Sequence, residues 1–143
     1  MNWKKCSFLT FLSATIIFCI LFIACSSGPE LPLLSKDAVI LAFGDSLTFG
    51  TGADPAQSYP AVLGELINRR VVNSGVPGEV TTEGLSRLPE VLERERPALL
   101  LLCHGGNDQL RRQNLQQMAN NIKEMIHLAR QRGIAVILIA VPE

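Results

Sequence analysis

After residue 37 the chain is punctuated by short apolar runs that scarcely alternate: residues 38–43, Val71-Val72 running into Asn73-Ser74-Gly75, residues 98–103 and residues 134–139. Runs of this length predict strands buried on both faces. Helical periodicity fills the gaps between them. Residues 58–70 carry Ala61, Val62, Leu66 and Ile67 at helical spacing. A second helix is predicted over 81–95, where Pro89 predicts a kink or a division into two pieces. In the third helix Leu115, Met118, Ala119, Ile122, Met125, Ile126 and Ala129 form a single stripe. Asn114 and Gln117 read as a capping box at its start, and Arg130, Arg132 and Gly133 mark its end. Buried strands alternating with amphipathic helices predict an α/β domain, a parallel sheet covered on both faces. Ligands of such sheets bind beyond the carboxyl ends of the strands, which directs attention to three loops, 44–52, 73–78 and 104–108.

The first segment follows a different pattern. Lys4 and Lys5 precede an apolar run over 8–24 that only Thr10, Ser13 and Thr15 interrupt, the form of a secretory signal. Its length approaches the roughly 20 residues that cross a bilayer, so an uncleaved membrane anchor is the competing reading. Phe22-Ile23-Ala24-Cys25, followed by Ser26-Ser27-Gly28-Pro29, resembles the lipobox of bacterial lipoproteins, with Phe22 where Leu is usual. That resemblance implies cleavage before Cys25, a diacylglycerol group on its thiol and a place on the membrane of the bacterial cell envelope. The expected organisation is a signal over 1–24, a lipid-anchored linker over 25–37 and a domain over 38–143.

Composition narrows the possibilities. With 48% hydrophobic and 18% charged residues in 143, one packed domain is expected and wholesale disorder is not. Thirteen basic and thirteen acidic side chains form no basic stripe, which argues against a nucleic-acid partner. Losing Lys4 and Lys5 with the signal leaves the domain slightly acidic, so acyl chains rather than charge would tether it. Of the four cysteines, Cys6 and Cys19 would leave with the signal and Cys25 would be acylated. Cys103 would remain alone, without an internal disulfide.

The three loops carry the chemistry. A serine becomes a nucleophile when it sits at an exposed turn with a base in reach and donors aimed at the developing oxyanion. Ser46 follows the first strand; Gly75 offers a backbone N–H that no side chain blocks; Asn107 offers a side-chain amide. Asp45 and Asp108 read as acceptors of backbone N–H bonds within the loops. The loop at 44–52 lacks the Lys and the spacing of a phosphate cradle, and Asp45 would repel phosphate. Cys103, His104 and Asp108 do not form a metal-ligand pattern, and no metal or organic cofactor is expected.

Taken in order, Gly44-Asp45-Ser46-Leu47, Asn73-Ser74-Gly75-Val76-Pro77-Gly78 and Gly105-Gly106-Asn107-Asp108 resemble the first three conserved blocks of the SGNH, or GDSL, hydrolases. The bacterial thioesterase/lysophospholipase and arylesterase branch is the most similar, with Tyr59-Pro60 and residues 81–85 also matching. The resemblance implies a three-layer, flavodoxin-like sheet and hydrolysis of acyl esters or thioesters. It implies Ser46 as nucleophile, with the Ser46 and Gly75 N–H groups and the Asn107 side chain as oxyanion hole. The family's fourth block, Asp-x-x-His, occurs nowhere in the chain, and neither His104 nor His127 occupies its place. The expectation is therefore a domain incomplete at its carboxyl end, with apolar sheet surface left bare. The alternative reading is an inactive remnant that binds at the membrane.

Overall fold

The computed structural model describes residue 31 and residues 33–140; the lipobox with Cys25 and residues 141–143 lie outside them. Strands β1 (Ile40–Gly44), β2 (Val71–Gly75), β3 (Leu99–Cys103) and β4 (Ala135–Leu138) form one parallel sheet in the order β2-β1-β3-β4. Short helices α1 (Ser46–Phe49) and α4 (Gly106–Leu110) follow β1 and β3. The crossovers carry α2 (Tyr59–Ile67), α3 (Thr81–Glu95) and α5 (Leu115–Gln131). This is the α/β architecture expected from the sequence.

Burial explains the pattern. Every residue of the central strands β1 and β3 is buried, so both read as unbroken apolar runs. Edge strand β2 is half-buried at most and accommodates Asn73 and Ser74, which extend it beyond Val71-Val72. On one face Leu41, Phe43, Leu100 and Leu102 meet Leu88, Val91 and Leu92 of α3 and Met125 and Ala129 of α5. On the other, Ile40, Leu99 and Leu101 meet Tyr59 and Leu63 of α2, with Ala135 and Ile137 of β4 only partly covered.

The structure departs from the sequence pattern at four places. Pro89 lies inside an unbroken α3 rather than dividing it. An interior proline costs a helix about 3 kcal/mol, and the burial of Leu88, Val91 and Leu92 around it offsets that cost. In α2 the side facing the sheet is Tyr59, Pro60 and Leu63, whereas Leu66 is 78% exposed and Val62 and Ile67 are also exposed. In α5 the stripe enters the core only from Ile122 onward, with Leu115 59% exposed. The capping box of α5 is half formed: Asn114 Oδ1 accepts the Gln117 N–H at 3.0 Å, but the Gln117 side chain donates to Asn121 Oδ1 at 2.8 Å.

The expected linker ends in contact with the domain. The Arg69 guanidinium donates to the carbonyls of Leu34 and Ser35, and Leu34 packs against the second core face.

Candidate active site

Register sets the frame. Gly44 of β1 pairs with Gly75 of β2 on one side and Cys103 of β3 on the other, so three neighbouring strands end at one level. The three loops singled out in the sequence leave from there.

In the first loop Asp45 caps α1, its buried Oδ1 accepting the Leu47 N–H at 3.0 Å. Ser46 is the first residue of that helix and is half-buried. Its N–H therefore belongs to the set that a helix start leaves without an intrahelical acceptor. The Ser46 carbonyl accepts from Gly50 and Thr51, both at 3.0 Å, with Gly50 at φ 89° closing the turn. Gly44 has to be glycine, since a Cβ there would collide with the Cys103 carbonyl and the Thr48 hydroxyl. Beneath the loop, Thr48 meets the Tyr59 hydroxyl at 3.4 Å. Burial, followed by the negative charge of Asp45, raises the Cys103 thiol above its ordinary range.

The second loop revises one expectation. Gly75 does sit beside the nucleophile turn, so close to the Thr48–Phe49 backbone that no Cβ would fit. Its N–H, however, donates to Asn73 Oδ1 at 3.0 Å and is not free for an oxyanion. Residues 76–79 then form a turn closed by Glu79 N–H to Val76 carbonyl at 3.1 Å, with Gly78 at φ 80°. Pro at the second place and a left-handed Gly at the third are the marks of a type II turn. The Gly78 N–H lies outside the closing bond and has no acceptor among the described residues. Sequence reasoning passed over Gly78, although the Pro77-Gly78 pair was the signal for such a turn.

In the third loop Gly105, at φ 110°, starts α4. Asn107 donates one Nδ2 hydrogen to the Glu79 carbonyl at 3.0 Å, leaving the other available. Arg111, one helical turn on, donates to the Gly78 carbonyl at 2.7 Å. Asp108 is buried and accepts from the Thr81 N–H at 2.9 Å and the Thr81 hydroxyl at 2.5 Å. Asn121 of α5 donates to the hydroxyls of Thr81 and Thr82 at 3.0 and 3.1 Å. The segment after Gly78 is thus held from α4 and α5, and Asn107 reaches the residue next to Gly78 rather than Gly75.

Under these loops lies a polar cluster that the sequence did not reveal. Glu79 receives Arg87 at both carboxylate oxygens, 2.8 and 2.7 Å, and His104 Nε2 at 3.1 Å. Burial by itself would raise the Glu79 carboxyl; the hydrogen bonds from Arg87 and then His104 outweigh it and hold the carboxyl below its ordinary range. The His104 side chain is fully buried, so it is a core residue rather than part of a pocket wall. His127 lies on the exposed side of α5 against Gln131, at 2.8 Å.

Phe49, Gly50, Ala53, Pro55, Asn73 and Gly75 line a concavity of about 380 Å³ beside α1. Leu47 and Phe49 of α1 and Val76 of the next loop are exposed apolar residues around the same strand ends. A larger hollow of about 710 Å³, lined by Lys36, Arg69 and Arg70 among others, lies at the opposite ends of β1 and β2, away from Ser46. Cys103, His104 and Asp108 each face different partners, and no metal-binding group of side chains occurs among the described residues.

A sequence profile of the GDSL-like lipase/acylhydrolase family matches residues 42–143, which include all three loops. The chain belongs to that family. This GDSL-like chain is 35% identical over 119 residues to the esterase TesA of Pseudomonas aeruginosa, covering 78% of the chain and 59% of the relative. It is 31% identical over 107 residues to an arylesterase of Vibrio mimicus, covering 71% and 54%. Among solved structures, the SGNH-hydrolase family esterase AlinE4 matches with a TM-score of 0.70 at 35% identity, covering 77% of this chain and 63% of that one. The family's fold is therefore the fold seen here, and the GDSL-like chain spans a little over half the length of these curated relatives.

Proposed function

We propose that the chain carries the nucleophile and oxyanion site of a serine ester hydrolase: the Ser46 hydroxyl oxygen adds to the carbonyl carbon of a carboxylic ester or thioester. The C–O or C–S bond breaks and the alcohol or thiol leaves with the serine proton; water then cleaves the acyl-serine to release the acid and restore the hydroxyl. The observation that carries this reading is the convergence of one serine at a helix start, a spare backbone N–H at Gly78 and a spare amide N–H at Asn107 on strand ends held in register. The Ser46 N–H, the Gly78 N–H and the Asn107 side chain would stabilise the tetrahedral oxyanion. Gly78 takes the place first expected of Gly75, because the Gly75 N–H is occupied by Asn73. Neither histidine serves as the base: Glu79 holds His104 in the core, and His127 sits on α5. The similarity to an esterase and an arylesterase supports carboxylic esters as the substrate class. A lipid anchor at Cys25 would hold the site at the envelope membrane; Cys25→Ser would then release the protein from membranes, and persistent association would favour an uncleaved helix.

The direct test is acyl capture. Incubation with p-nitrophenyl butyrate should add a butyryl group, which peptide mass mapping places on Ser46. Asn107→Ala should slow the capture roughly 10²–10³-fold, the usual cost of removing one oxyanion donor. The same adduct yield from Ser46→Ala would sink the reading.

A further inference from the structure

We infer that Arg87 is a positioning residue that keeps the proposed oxyanion donors aligned with Ser46. The inference rests on the function proposed above and deepens it. Arg87 projects from α3, and its side chain is 26% exposed. Its Nε and Nη2 donate to the two oxygens of Glu79, its Nη1 to Ser74 Oγ at 2.8 Å and its Nη2 also to the Ser74 carbonyl at 3.2 Å. The guanidinium carbon lies 4.2 Å from the centre of the Phe43 ring. One planar group thus touches the residue before Gly44, the residue before Gly75 and the residue after Gly78.

The third contact matters most. The Glu79 carbonyl receives Asn107, and the Glu79 N–H closes the turn that presents Gly78. Fixing the Glu79 side chain therefore fixes both donors, while the contact with Phe43 refers them to β1, from which Ser46 departs, and the grip on Ser74 to the neighbouring β2. Stability alone does not account for such a cluster, because a buried ion pair often stabilises no more than apolar side chains of the same volume. What it adds is direction: a guanidinium fork has a geometry that a lysine ammonium does not reproduce. A misplacement of about 1 Å at a reacting centre costs on the order of 10²-fold in rate.

Arg87→Lys in the full chain, held in detergent micelles, separates positioning from folding, since it keeps a positive charge beside Glu79. We expect a melting temperature close to the parent's. Acylation of Ser46 at saturating p-nitrophenyl butyrate should be roughly 10- to 100-fold slower, with half-saturation little changed. The Asn107 side-chain amide should exchange with solvent about tenfold faster, as for loss of one hydrogen bond of ordinary net strength. The Leu100 and Leu102 backbone amides should keep their protection. Unchanged Asn107 exchange would overturn the inference, and so would a loss of Leu100 protection in step with Asn107. If even the parent shows no acyl-Ser46, the functional reading fails, while the exchange of Asn107 still decides the part played by Arg87. Should Arg87→Lys not fold, Ser74→Ala removes one of the hydrogen bonds of Arg87 and should accelerate Asn107 exchange a few-fold; no change there would equally overturn the inference.

Discussion

Gly84 shows how closely single residues around the polar cluster are fitted. It lies inside α3, where alanine is normally the better residue by about 1 kcal/mol. Here a Cβ would stand 2.5 Å from His104 Nε2, the atom that meets Glu79. Gly84→Ala is therefore expected to lower the melting temperature, at a cost of about 1–3 kcal/mol for overpacking. A rise in melting temperature would show that His104 can move aside freely. Glu79 adds a pH dependence. Its folded carboxyl stays charged to lower pH than the same group in the unfolded chain, because Arg87 and His104 outweigh the effect of burial. As pH falls, the unfolded chain takes up the proton first. The stability tied to this charge is complete above the ordinary glutamate range and is lost as pH falls below it through the folded value. Thermal melts across that range should show a weaker acid dependence in Glu79→Gln than in the parent; parallel curves would contradict the assignment.

At the scale of elements, the strands were readable because β1 and β3 are buried on both faces and admit no polar residue. The helices were readable in number but not always in orientation. Helix α2 covers one flank of the sheet through Tyr59, Pro60 and Leu63, so the aliphatic residues Val62, Leu66 and Ile67 misdirected the pattern. Ser46, Asp45 and Asn107 could be found because each follows a strand within a compact motif. Gly78, Arg87 and Glu79 could not be assigned in the same way, since their significance lies in hydrogen bonds to residues distant in sequence or in a turn that looked incidental. The stripe of α5 offers a measurement. Met125 is fully buried against β1 and β3, while Leu115 is more than half exposed. Met125→Ala should cost about 2–5 kcal/mol in urea unfolding. Leu115→Ala should stay within about 0.5 kcal/mol, and equal losses would return Leu115 to the core.

At the scale of the molecule, the described residues cover the sheet unevenly. Helices α3 and α5 shield one face of the sheet and α2 the other, where Ala135 and Ile137 are only partly buried; Leu138, which pairs with Leu102 on the first face, is 52% exposed. Among the described residues β4 pairs only with β3, so its outer edge offers unpaired backbone groups. Residues 25–143 produced alone are expected to associate at micromolar concentration, as sedimentation velocity would record; a cooperatively melting monomer would refute this.

The common level of Gly44, Gly75 and Cys103 also determines where the chain can change length. One residue inserted into β1 would carry Ser46 roughly 3.3 Å along the sheet and invert the strand's faces, while Asn107 and Gly78, fastened to other strands, would stay behind. An insertion beside Gly52, where a Cβ meets nothing within 4 Å and the neighbouring residues are exposed, would leave those distances intact. The rim can lengthen over evolutionary time; the three strand ends have to change together or not at all.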